Sequence, residues 1–196
     1  MNKRMRYIQL ALEASIPVLG FFAWNWSLYF ILLFYFLDMF ASEFVMHLKA
    51  RQVVLHQGKN QQKEWLLGTG VSVGLLTFVI LAAHAAVFHM HPNIDFAHEM
   101  AAFWNYEEMG IPQGYLLAPL VFLMSFQQFR MEFMMPARYR TLTMKALWKP
   151  HNRTLMFISL GALVALASSF LPGIPEVIYV LSIVAAATTY SLLAKF

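Results

Sequence analysis

The chain contains no cysteine. That excludes a disulfide framework, a Cys-bearing zinc site and a thiol nucleophile, and it leaves the redox compartment unmarked. Charge is the second scarcity: only 12% of the 196 residues are Asp, Glu, Lys or Arg, while 60% are hydrophobic. A soluble domain carries about 25% charged and about 45–50% apolar residues. This composition argues against a soluble domain, a disordered tail or a nucleic-acid binder, even with a net charge of +4. Lys and Arg are missing altogether from three long tracts, 7–48, 64–129 and 154–194. Basic residues distributed in that way flank membrane spans.

Apolar runs fill the tracts. A hydrocarbon core about 30 Å thick needs about 20 mostly apolar residues per helix. Six stretches meet that requirement, near residues 7–24, 26–48, 65–88, 112–134, 154–171 and 174–194. The expected fold is all-α, a single integral-membrane domain over residues 1–196 built as a polytopic bundle of six transmembrane helices. A short link at Asn25 and another from Leu171 to Pro175 read as tight turns between antiparallel helices. Trp24, Trp26, Trp65, Trp104 and Trp148 fall near span ends, where amphipathic rings favour the interface. Gly70 and Gly74 form a small-residue pair suited to close helix contact.

The cations orient the bundle. Lys3, Arg4 and Arg6 precede the first span, Lys49 to Lys63 follow the second, and Arg130 to Arg153 surround the link from the fourth to the fifth. The opposite face carries Asp95, Glu99, Glu107 and Glu108. Positive-inside placement puts both termini in the cytoplasm. Glu13 interrupts the first apolar run and no small-residue cleavage site follows, so a retained anchor is expected rather than a signal peptide. In the outer loop the spacing predicts an amphipathic interfacial helix over residues 94–106, with Asn93 as N-cap and Asp95 in its first turn. The basic, Gln-rich segment from Ala50 to Glu64 is expected to be a solvated connector.

Ionisable groups inside a membrane are the main functional signal. Asp38 lies near the middle of the second span, Glu13 near the middle of the first, and Glu43 further toward the cytoplasm. No Lys or Arg shares their depth. Three readings stay open for these acids: a proton or cation relay, a protonated acid that packs helices, or a contact with another subunit. Glu43 and His47 are i, i+4 neighbours, while Gln127, Gln128 and Arg130 occupy a comparable depth in the fourth span. A Glu43–Arg130 bridge filled out by the amides is the expected arrangement there. Phe40 to Met46 also echoes Phe129 to Met135 in composition, through repetition or coincidence.

Histidines supply the second signal. His84, His89, His91 and His98, with Glu99 and Asp95 nearby, could take Zn or Cu at the outer face if the loop folds back. No compact metal motif is present, and no cofactor beyond such an ion is predicted. Haem is disfavoured, because the fourth to sixth spans carry no histidine to face a partner across the bundle. There is no rhomboid-type nucleophile motif, no P-loop and no complete metalloprotease set, so no reaction is specified.

The block Ile16-Pro17-Val18-Leu19-Gly20, then Trp24, then Leu32 to Asp38 and Lys49, resembles a family of bacterial polytopic membrane proteins known as a domain of unknown function. That family opens with Pro-x-x-Gly, a Trp, and a Leu-rich run into Tyr-Trp-x-Glu. Here Phe36 stands for the Trp and Asp38 for the acid. The resemblance covers about the first quarter of the chain and implies a multi-pass protein of the bacterial inner membrane. Two functions follow as expectations. One is a non-catalytic membrane subunit or scaffold of an envelope complex, with other membrane subunits, or copies of itself, as partners. The other is a small proton- or metal-linked transporter.

Overall fold

The computed structural model describes residues 14–58, 61–108 and 111–193. Helix α1 spans Ala14–Ala23, α2 Leu28–Gln57, α3 Gln62–Met90 and α4 Phe96–Trp104. A two-residue antiparallel pair follows, β1 (Glu107–Glu108) with β2 (Ile111–Pro112). Helix α5, Gln113–Phe129, runs into a π-helical turn over Arg130–Met134. After a 3₁₀ turn at Arg138–Arg140 come α6, Met144–Ser169, and α7, Glu176–Leu193. The protein is therefore helical, and α2, α3 and α6 are long and apolar enough to cross a membrane.

Local chemistry sets the helix ends. Asn25 adopts a left-handed φ of 53°, which lets the backbone N–H groups of Trp24 and Trp26 both donate to the Gly20 carbonyl. Gly20 is required there because a Cβ would overlap the Trp26 ring. Ser27 caps α2 by accepting from Phe30 N at 3.1 Å. Asp95, rather than Asn93, caps α4, accepting from Ala97 N and His98 N at 3.0 and 3.1 Å. That places the helix of this segment at Phe96–Trp104, shorter than the 94–106 expected.

Two expectations fail at the opposite end. The segment from Ala50 to Glu64 is not a solvated connector: α2 continues to Gln57 and α3 begins at Gln62. Likewise α6 begins ten residues before the fifth apolar run, at Met144, where Thr143 caps it by accepting from Ala146 N at 3.2 Å. Hydropathy falls in these turns, yet backbone hydrogen bonding does not depend on hydropathy, so the helices extend past the apolar runs.

Packing follows a stripe on α3: Gly68, Ser72, Leu76, Val79, Ala83, Ala86 and Val87 are buried at helical spacing. The small residues let α6 come close. A Cβ on Gly68 would overlap the Trp148 ring, whereas one on Gly70 or Gly74 would meet nothing. The expected Gly70–Gly74 contact is thus on the wrong face, and Gly68 is the packing glycine. Gly68 meets Trp148, Ser72 meets His151, and His89 meets Ser169, so α3 and α6 run in the same direction. Tyr29 with His84 and Glu43 with Ser72 make α2 antiparallel to α3.

Apolar burial forms two clusters. One gathers Trp26, Tyr29, Phe30, Ile31 and Phe36 with Val79, Val87, Phe103 and Val180. The other gathers Val45, Met46, Ala50 and Val53 with Phe129, Phe133, Met144 and Trp148. On α2 the gap between them contains Glu43. Gly68→Ala is expected to lower thermal stability in detergent by about 1–3 kcal/mol through overpacking, while Gly70→Ala leaves it unchanged. Equal losses at both positions would contradict the packing described.

Candidate functional site

Glu43 is 7% exposed, and the side chains around it come from all three long helices. The hydroxyl of Ser72 on α3, itself fully buried, lies 2.7 Å from both carboxylate oxygens and donates to them. From α6, His151 Nε2 lies 2.7 Å from Oε2 and 3.1 Å from the Ser72 hydroxyl. From one turn further along α2, His47 Nε2 lies 3.2 Å from Oε1. The edge of Trp148 closes over both imidazoles, with ring centroids 5.7 Å from His47 and 5.8 Å from His151.

This arrangement holds a buried carboxylate without an Arg or Lys. A carboxylate moved out of water needs hydrogen bonds and an opposing charge. Imidazole can supply either a neutral N–H donor or a cation. With both rings neutral the cluster carries one negative charge, and each proton added to an imidazole raises that by one. His47 retains 32% of its side-chain surface and His151 only 12%, so one ring faces outward from the cluster and the other inward.

A small cavity adjoins the cluster. It measures about 20 Å³ and is lined by Asp38, Met39, Ser42, His151, Thr154, Leu155 and Ile158. His151 therefore belongs both to the Glu43 cluster and to the wall that contains Asp38. Asp38 is itself exposed at the chain's surface.

The structure redistributes the residues singled out from sequence. Glu43 and His47 come together as expected, but Arg130 and Gln127 are exposed and are not among Glu43's partners. Gln128 donates instead to Glu132 at 3.1 Å. The expected Glu43–Arg130 bridge is replaced by histidine. The echo between the two Phe- and Met-rich segments also lapses here, since Glu43 is buried and Glu132 exposed. Glu13 lies outside the described residues.

The histidines expected at the outer face disperse to separate partners. His84 Nε2 lies 2.9 Å from the Tyr29 hydroxyl and its Nδ1 lies 2.7 Å from the Ile80 carbonyl, with Phe36 stacked on the ring. His89 Nδ1 bonds the Ser169 carbonyl at 3.0 Å. His91 approaches Glu176 at 3.9 Å, and His98 is exposed. Glu99 turns inward and accepts from the Ser27 hydroxyl at 2.7 Å. Among the described residues no group of three His, Asp or Glu side chains is placed to hold a metal ion.

Sequence reasoning missed His151 and Ser72. The signal for Ser72 was its place on the small-residue face with Gly68. His151 was hidden among Lys149, Pro150 and Arg153, a stretch that reads as a basic loop but lies inside α6. Glu43→Ala, which leaves Ser72 and His151 facing each other without their acceptor, is expected to cost about 3–5 kcal/mol of stability in detergent. Arg130→Ala is expected to leave the thermal midpoint unchanged. A loss at Arg130 matching that at Glu43 would contradict this site.

No protein-family model, no curated protein and no solved structure matches the chain.

Proposed function

We propose that the chain is a small proton-linked transport protein of the membrane, with the Glu43–His47–His151–Ser72 cluster as its proton-binding site. The observation that carries this reading is a buried carboxylate bonded by two imidazoles where the three long apolar helices meet. Ionisable groups held inside membrane spans commonly mark ion and proton paths. Histidine is the side chain that changes charge near neutral pH.

The accompanying topology has six spans with both termini in the cytoplasm of a bacterial inner membrane. Helices α2, α3 and α6 support three of these spans by length and composition. The continuous helical stretch of α5 with its π turn supports a fourth. The shorter apolar helices α1 and α7 lie in the two remaining apolar runs. The antiparallel and parallel relations among α2, α3 and α6 agree with that alternation. Among the described residues the cations lie toward the end of the bundle that holds Glu43, and α4 with Asp95 and Glu99 lies toward the other end. The resemblance of the first quarter to a bacterial polytopic family supports the same location.

A second reading has its own support. Both oxygens of Glu43 already have partners, as a purely structural tie between helices would require. In that reading the protein is a non-catalytic membrane subunit. Proteoliposomes containing a pH-sensitive dye separate the two. Proton-linked transport predicts dye response to an imposed pH gradient, abolished by Glu43→Gln with the protein still folded. Absence of flux in the wild type, or unchanged flux in Glu43→Gln, would overturn it. The cysteine-free chain also permits single-cysteine mapping. A cysteine at Gly58 is expected to react from the cytoplasmic side and one at Asn93 from the outer side.

A further inference from the structure

Resting on the proton-binding reading of Glu43, we infer that the cavity beside Asp38 is a water site that connects Asp38 to His151 and so makes Asp38 the mid-helix entry point of the proton path. A buried water needs a cavity of at least about 10–15 Å³ and about two to four polar partners. The cavity here is about 20 Å³, enough for one water, and Asp38, Ser42, His151 and Thr154 supply four polar side chains. Thr154 spends its hydroxyl proton on the Pro150 carbonyl at 3.0 Å, so its oxygen turns lone pairs, and no donor, to a water. Ser42 can donate or accept. Met39, Leu155 and Ile158 line the rest of the wall, which stays partly open beside the exposed Asp38.

His151 is the joint between the two halves. Its Nε2 is engaged with Glu43 and Ser72, which leaves Nδ1 as the nitrogen to receive a proton from the cavity. The transfer balances without any co-reactant. The Asp38 carboxyl O–H breaks and the water takes that proton while passing one of its own to Nδ1. The imidazolium then releases its Nε2 proton to Glu43 Oε2. The proton on Oε2 passes to the Ser72 hydroxyl as that hydroxyl gives its own proton to Oε1, each oxygen lying 2.7 Å from it. From Oε1 it reaches the bare Nε2 of a neutral His47, 3.2 Å away and on the more exposed of the two rings. Asp38 and Glu43 are five residues apart on α2, about 7.5 Å along the axis, too far for direct exchange, and the water and imidazole span that distance. Among the described residues the groups facing the path include Asp38, Ser42, Glu43 and His47 from α2, Ser72 from α3, and His151 and Thr154 from α6.

The test compares four variants of the full chain in proteoliposomes. Asp38→Asn removes the carrier, Ser42→Val fills the cavity, Thr154→Val removes an acceptor at constant size, and Glu43→Gln is the reference. The inference predicts at least a tenfold loss of proton flux in Asp38→Asn and Ser42→Val and a smaller loss in Thr154→Val. It also predicts a water O–H infrared band that shifts in H₂¹⁸O, is present in the wild type and is absent from Ser42→Val. Wild-type flux in Asp38→Asn and in both cavity variants, with Glu43→Gln inactive, would overturn the path while leaving the Glu43 site standing. Unchanged flux in Glu43→Gln would overturn both. If Ser42→Val fails to fold, Thr154→Val carries the infrared comparison, and an unaltered water band there would overturn the water site.

Discussion

One carboxylate holds the three long helices at a common level. Glu43 accepts from Ser72 on α3 and pairs with His151 on α6 and with His47 on its own helix. Its position on α2 falls between two apolar clusters, so the layer divides the interior into an aromatic half around Trp26 and Phe30 and a second half around Trp148. Dispersion and small-residue contacts bring membrane helices together without fixing their register. A directional tie among three helices fixes it, because sliding any one of them by a residue separates the bonded atoms.

At the other end of α2 two acidic residues perform a comparable task. Ser27 caps the helix and donates its hydroxyl proton to Glu99 of α4, and the Leu28 N–H donates to Glu176 of α7 at 3.0 Å. A helix N-terminus presents unpaired N–H groups and a positive dipole end, and carboxylates satisfy both. Glu99 and Glu176 are therefore tied into the framework of α2.

Much of the helical layout was legible from hydropathy, since runs of apolar residues without cations occur only where lipid or a core replaces water. Boundaries were not. His151 precedes the fifth apolar run and stands between Lys149 and Arg153, yet both cations are exposed on a helix that Thr143 has already started. The pair Gly70–Gly74 matched a familiar spacing, whereas Gly68 did the packing. Spacing identifies a common face but not which face meets a neighbour, and that choice is made by the bulk of Trp148 on α6. Glu43 was visible as an acid inside a long apolar run. Its partners were not, because nearness in three dimensions between residues 43, 72 and 151 has no trace in local pattern.

The central claim is that Glu43 and His151 act as one unit. A double-mutant cycle tests it most directly, with unfolding measured in bilayers for Glu43→Gln, His151→Asn and the pair. The expected result is a coupling energy of about 0.5–3 kcal/mol, against additivity within about 0.5 kcal/mol for the control cycle of Glu43→Gln with His89→Asn. Additive losses in the Glu43–His151 cycle would contradict the account.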